Sequence, residues 1–121
     1  MLELAIAQAL YERYPDSSEG GLAKIRSHVV SRASCAVVAR ELGLGARLAE
    51  LGAKVAPREE LERLARNRNV LAALLEASLA ALYLQHGFEP LRQPIVAAFD
   101  RRITYALTTH VDHKTELQEQ L

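Results

Sequence analysis

A chain of 121 residues, half of them apolar, has the size and hydrophobic content of one compact domain. Its 15 Lys and Arg residues balance 15 Asp and Glu residues, so bulk charge does not indicate nucleic-acid binding, and such a site must be a local patch. The single cysteine, Cys35, excludes an internal disulfide, and charges interrupt every apolar stretch, which excludes a membrane span. We therefore expect a cytoplasmic protein with no membrane contact.

Apolar residues recur at spacings of three and four along nearly the whole chain, which predicts an all-α fold. The first helix is predicted from Leu2 to Tyr14, where a proline follows. Ser17 or Ser18 is expected to cap the second helix. Ser31 is expected to cap a third helix, which Gly43 closes in the left-handed conformation.

The middle of the chain is predicted to hold a turn, a charged stretch and a long helix. The turn runs from Gly45 to Gly52, and the charged stretch from Pro57 to Arg68. Either Asn67 or Asn69 caps the long helix, which ends at Gly87.

The two ends of the chain carry further expectations. A last helix of the domain is predicted from Glu89 to Leu107, followed by a linker from His110 to His113 and a new helix from Lys114 onward. At the other end, Met1 stands directly before an amphipathic helix with no cap or lead-in, so we expect upstream sequence to be missing.

Three separate segments carry motifs of one known family. Residues 14–45 read YPDSSEGGLAKIRSHVVSRASCAVVARELGLG, residues 69–89 read NVLAALLEASLAALYLQHGFE, and residues 112–121 read DHKTELQEQL. In this order they resemble the catalytic domain of bacterial ribonuclease III, its second acidic motif, and the opening of its double-stranded-RNA-binding domain. The resemblance implies a helical endonuclease domain over residues 1–109 that lacks its N-terminal helix and main acidic motif. It also implies a linker with the start of the RNA-binding domain over residues 110–121.

The resemblance also implies an activity and its cofactor. Members of the family hydrolyse phosphodiester bonds of double-stranded RNA, including ribosomal RNA, as homodimers that use Mg²⁺. Such chemistry requires hard oxygen ligands, because carboxylates hold the metal that activates water. The family's main acidic motif, Asn-Glu-Arg-Leu-Glu-Phe-Leu-Gly-Asp, is not in this chain, since Met1 and Leu2 match the end of that run.

Two glutamates fall on acidic positions of the family. Glu76 matches the metal-binding Glu of an Asp-x-x-Glu pair, whose spacing places both side chains on one helical face. Ala73 stands where the Asp of that pair is expected. Burying a lone carboxylate in so apolar a helix is costly, which favours a metal ligand; the alternative is a surface glutamate at a groove edge. Glu19 matches an acid near the cleavage groove, and it would equally suit the N-terminus of its helix.

Other polar groups have simpler interpretations. A run of Lys54 and four arginines, interleaved with glutamates between Pro57 and Arg68, indicates an exposed salt-bridged surface, with phosphate contact as the alternative. The family usually has a Gly-rich connection here. Cys35 and Tyr83 are expected in the core. The four histidines show no metal-ligand spacing and are interpreted as surface or packing residues.

Three functions therefore compete. The first is a Mg²⁺-dependent endoribonuclease acting on double-stranded RNA. The second is a non-catalytic module that dimerises and binds RNA, which Ala73 and the absent motif favour. The third is a helix-turn-helix DNA binder, suggested by the helix–Gly–helix pattern of Ala33 to Leu48. We expect a member of the ribonuclease III family whose activity in this chain is lost or severely impaired.

Overall fold

A computed structural model describes the backbone of residues 1–120 and the side chains of residues 1–109. That described backbone is all-α, as predicted, and holds seven α-helices and one short 3₁₀ turn, Gly52–Lys54. The α-helices are α1 (Leu2–Arg13), α2 (Glu19–Val29), α3 (Arg32–Glu41), α4 (Leu44–Leu51), α5 (Arg58–Arg66), α6 (Arg68–His86) and α7 (Glu89–Gln120).

The helices form two compact units. The first unit combines Met1–Val30 with the chain from Phe88 onward, and thus contains α1, α2 and α7. The second unit is the continuous segment Ser31–Gly87, which contains α3 to α6.

The first unit buries one apolar face of each of its three helices. These faces follow helical spacing and comprise Ala5, Ile6, Ala9 and Leu10 of α1, Leu22, Ile25 and Val29 of α2, and Leu91, Ile95, Phe99, Ile103 and Ala106 of α7. Two ion pairs join α1 to α7: Arg13 to Asp100 at 2.9 Å and Arg92 to Glu12 at 3.4 Å. Because these pairs are partly exposed, burial rather than charge stabilises the unit.

The second unit is built on the packing of α3 against α6, with α4 and α5 beside them. Its buried apolar side chains include Val38, Leu61, Leu71 and Leu75. The backbones approach closely at Gly45, because a Cβ at that position would lie 2.7 Å from the carbonyl oxygen of Ala65. The crossing of α4 over its neighbours therefore requires a glycine.

Polar caps begin the helices where the sequence predicts them. The Ser18 hydroxyl accepts a hydrogen bond from the Gly21 N–H at 3.1 Å, and the Ser31 hydroxyl accepts one from the Ser34 N–H at 3.2 Å. Of the two candidate caps of α6, the side chain used is that of Asn67, whose Oδ1 accepts hydrogen bonds from two backbone N–H groups. The left-handed closure of α3 is also confirmed, with φ of 75° at Gly43.

Two predictions about chain breaks are wrong. The segment from Gly45 to Gly52 is not a turn but largely the helix α4, because Leu44, Leu48 and Leu51 follow helical spacing and Gly45 serves a close approach. The described backbone of α7 runs on to Gln120 through the predicted linker at 110–113, a stretch without Gly or Pro. The side chains of 110–121, including the proposed start of an RNA-binding domain, lie outside the described residues.

Much of the C-terminal half of α6 is exposed despite its apolar sequence. Leu82, Tyr83 and Leu84 are 41%, 45% and 84% exposed, so the expectation that Tyr83 is a core residue is wrong. Within the residues that the structure describes, none of the helices combines the length and hydrophobicity needed to cross a membrane.

Candidate functional site

Glu76 lies on the exposed side of α6. The opposite side of this helix buries Leu71, Ala72 and Leu75 at the spacing that packs it on α3. Glu76 and Ala73 are both exposed and share one helical face, because they are three residues apart. The argument from the cost of burying a lone carboxylate therefore does not apply to Glu76, and its exposure agrees with the alternative of a surface glutamate. Exposure leaves its carboxylate accessible to a ligand, at the position that the sequence predicts.

The charge of Glu76 reaches the neighbouring helix α3. Cys35 of α3 is 1% exposed, which confirms its prediction as a core residue. Burial is the main cause that raises the pKa of the Cys35 thiol above its usual value of 9.0, and the negative charge of Glu76 raises this pKa further. The positive charge of Arg32 opposes both effects. The pKa of Cys35 on α3 thus responds to two charges, that of Glu76 on α6 and that of Arg32 on α3.

The raised pKa of Cys35 predicts a pH-dependent loss of stability. The folded chain keeps the thiol protonated at pH values where the unfolded chain ionises it, so rising pH stabilises the unfolded state. We expect the free energy of unfolding to fall above about pH 9, through the range between the unfolded and folded pKa values. Urea denaturation under reducing conditions, between about pH 7 and pH 10, measures this dependence.

The matched control is Cys35→Ala, which leaves every other titrating group in place. This variant is expected to be less stable at neutral pH, because a small cavity replaces the sulfur, but its stability should fall less steeply above about pH 9. Equal pH dependence in the two proteins would show that the thiol does not titrate differently on folding.

The described side chains do not by themselves provide a Mg²⁺ site. Among residues 1–109, no group of three or more His, Cys, Asp or Glu side chains is placed to hold a metal ion. Ala73 offers no oxygen donor one helical turn before Glu76. Because Mg²⁺ demands an octahedral set of oxygen ligands, a single carboxylate is a poor fit.

Glu19 occupies the first position of α2, directly after the Ser18 cap. Its side chain is exposed, and its negative charge suits the positive end of the helix dipole. With Arg26 and five apolar or aromatic side chains of α1 and α2, it lines a cleft of about 210 Å³ within the first unit. Glu19 belongs to the first unit, whereas Glu76 belongs to the second.

The charged stretch before α6 forms the helix α5. Leu61 is its buried residue, and Arg58 pairs with Glu62 at 3.0 Å on the exposed face. This pairing supports the interpretation of an exposed salt-bridged surface. The second helix of the suggested helix-turn-helix is α4, whose charged side chains, Arg47 and Glu50, pair with each other at 3.4 Å.

One polar cluster was not predicted. The ring of His28 on α2 stacks on that of Tyr105 on α7, with 5.7 Å between centroids and 26° between planes. The guanidinium carbon of Arg102 lies 4.6 Å from the centroid of the same tyrosine ring. The sequence analysis did not identify this cluster, and spacing alone could have suggested only the local pair of Arg102 and Tyr105, because packing brings His28 to them from another helix.

Comparison with known proteins gives consistent matches. The sequence profile of the Ribonuclease III domain matches residues 1–87. The chain is 40% identical to Ribonuclease 3 of Corynebacterium efficiens, covering 100% of this chain and 48% of that protein. It is 37% identical to Ribonuclease 3 of Corynebacterium diphtheriae, with 100% and 47% covered, and 40% identical to that of Mycobacterium tuberculosis, with 98% and 50% covered. The chain thus spans about half the length of the curated relatives it matches.

Proposed function

This chain belongs to the ribonuclease III family, and we propose that it serves the hydrolysis of phosphodiester bonds in double-stranded RNA, in the processing of ribosomal and other structured transcripts. The observation that carries the proposal is the match of the Ribonuclease III domain over residues 1–87, a range that includes Glu19 and Glu76. The exposure of Glu76 supports it, since a residue that contacts metal or substrate must be accessible.

We further propose that this chain alone is inactive or severely impaired as a nuclease. Mg²⁺ is the cofactor expected from the family, and Glu76 is the residue of this chain that we assign as its ligand. The structure supplies one carboxylate at that place, and the position one turn earlier is Ala73. Since hydrolysis assisted by a metal needs several oxygen ligands to fix the ion, the reaction is expected to be slow.

The partners follow from the same proposal. Duplex RNA is the substrate, and the working form is a homodimer in the cytoplasm. Glu19 is assigned a role toward the RNA substrate, because it matches an acid near the cleavage groove of the family.

The test is a cleavage assay with labelled duplex RNA, in Mg²⁺ and in EDTA. We expect little or no cleavage by the folded wild-type chain, and any residual cleavage should require Mg²⁺ and disappear in Glu76→Gln. Glu59→Gln is the matched control, because Glu59 is an exposed glutamate of α5 outside the proposed site. Efficient Mg²⁺-dependent cleavage that survives Glu76→Gln would overturn the site assignment, and equal cleavage of single-stranded RNA would overturn the substrate.

A second candidate is a non-catalytic member that dimerises and binds RNA. The presence of Ala73 at the position of the expected Asp favours it. This candidate predicts duplex RNA binding of equal affinity in Mg²⁺ and EDTA, with no cleavage product at any enzyme concentration. Residual cleavage that depends on both Mg²⁺ and Glu76 would exclude it.

A further inference from the structure

The unpredicted cluster in the first unit suggests an additional contact with nucleic acid. We propose that Lys24 and His28 of α2, together with Arg101, Arg102 and Tyr105 of α7, form a surface that binds the phosphodiester backbone of duplex RNA. We call it the α2/α7 basic surface. It lies in the unit that does not contain Glu76. The inference rests on the proposed function, because it takes duplex RNA as the substrate.

Helix geometry groups these side chains around one aromatic stack. Lys24 precedes His28 by four residues, and Arg101 precedes Tyr105 by four, so each pair shares one face of its helix. His28 and Tyr105 are in contact, with 5.7 Å between their ring centroids. The exposed residues of the surface include Lys24, His28, Arg101 and Tyr105. Because of the sequence spacing, each lysine or arginine lies within about one helical turn of a stacked ring.

The cationic side chains of this surface lie in two segments that contain no carboxylate. No Asp or Glu occurs in residues 20–30 or in residues 101–109, although the whole chain has a net charge of zero. The adjacent Asp100 is engaged by Arg13 of α1 at 2.9 Å. Among the described side chains, the ion pairs do not involve Lys24 or Arg101. The local field therefore favours a polyanion.

The stacked rings also arrange the surface in advance of binding. Arg102 lies over the Tyr105 ring at 4.6 Å, a distance typical of a cation–π contact, and His28 restricts the same ring. Because side chains that are already ordered lose less entropy on binding, the stack favours association. Arginine, lysine and tyrosine side chains are common donors to phosphate oxygens.

The neighbouring exposed residues favour a nucleic acid over a membrane surface. Ser27, Thr104 and Thr108 are exposed next to the cluster and carry hydroxyl groups instead of aliphatic chains. A surface that enters a lipid interface would present large apolar side chains between its cations. The cationic groups and the Ser27 hydroxyl instead suit the phosphates of an RNA duplex, whereas Thr104 and Thr108 already donate their hydroxyl hydrogens to backbone oxygens of α7.

The experiment compares the salt dependence of RNA binding in three proteins. Fluorescence anisotropy with a labelled RNA duplex, in EDTA to prevent cleavage, gives the affinity of the wild-type chain, of Lys24→Gln/Arg101→Gln, and of Arg63→Gln/Arg68→Gln. The last protein is the matched control, because it removes two exposed arginines from α5 and α6 with the same change in charge. Circular dichroism and urea denaturation verify that all three are folded.

We expect Lys24→Gln/Arg101→Gln to bind about tenfold more weakly near physiological salt, and its plot of log affinity against log salt concentration to be shallower by about 2. The control should keep the wild-type slope. If Lys24→Gln/Arg101→Gln kept the wild-type slope and affinity, or if only the control lost affinity, the proposal of the α2/α7 basic surface would be overturned. Either result would leave the proposed function standing. Failure of the folded wild-type chain to bind duplex RNA would overturn this inference and the proposed function together.

Discussion

Ala73→Asp is expected to raise the affinity of the chain for Mg²⁺ and Mn²⁺ by about tenfold or more. The new carboxylate would share an exposed face of α6 with Glu76, three residues away, so two oxygen donors would replace one. Because Ala73 is exposed, the aspartate buries no charge, and its cost to stability is limited to a helix propensity of about 0.7 kcal/mol. Isothermal titration calorimetry and Mn²⁺ electron paramagnetic resonance measure the affinity for the metal directly.

Ala77→Asp provides the matched control. Position 77 is also an exposed alanine of α6, but it is adjacent to Glu76 in sequence and points about 100° away around the helix. Its carboxylate adds the same charge without forming a pair. An equal gain in metal affinity in both variants would show that added negative charge alone attracts the metal. No gain in metal affinity in Ala73→Asp would show that this face of α6 is not a metal site.

Gly45→Ala is expected to destabilise the chain by about 1–3 kcal/mol, although alanine is the better helix former. The added Cβ would lie 2.7 Å from the backbone oxygen of Ala65 and 3.2 Å from a methyl carbon of Leu71. A backbone atom cannot move aside as the end of a flexible side chain can, so α4 must shift away from its neighbours. The midpoint of urea denaturation measures the loss.

Gly20→Ala tests whether the effect comes from close approach and not from glycine as such. A Cβ at Gly20, in the first turn of α2, would meet no atom within 4 Å. This variant should therefore be neutral or more stable by about 0.4–1 kcal/mol, because the unfolded chain loses freedom. Equal stability of the Gly45→Ala and Gly20→Ala variants would contradict the packing at Gly45.

The sequence predicted the features of this fold that depend on local interactions. Ser31 and Gly43 bound α3 as expected, because a hydroxyl cap and a left-handed glycine act within a few residues. Gly45 misled the prediction of a turn, since a glycine required by a close approach looks the same in sequence as one required by a turn. Only the packed structure distinguishes the two.

The assignment of Glu76 and Glu19 as site residues rests on motif spacing and stays a prediction. The apolar sequence around Glu76 suggested burial, with a surface position as the alternative, and the structure shows that its side of α6 is exposed. An almost uniformly apolar helix carries no signal for which face is covered. The stack of His28 on Tyr105 was missed for a related reason, because packing between distant segments creates it.

The chain order of the two units has a consequence for synthesis. All of Ser31–Gly87 leaves the ribosome as one uninterrupted run, so α3 to α6 can pair before α7 is translated. α1 and α2 can pack on each other early, but the parts of their apolar faces that pack on α7 wait for its translation, which at about 5–20 residues per second is a delay of several seconds. Until α7 is translated, those two faces are apolar surfaces of the nascent chain that chaperones or other chains can contact.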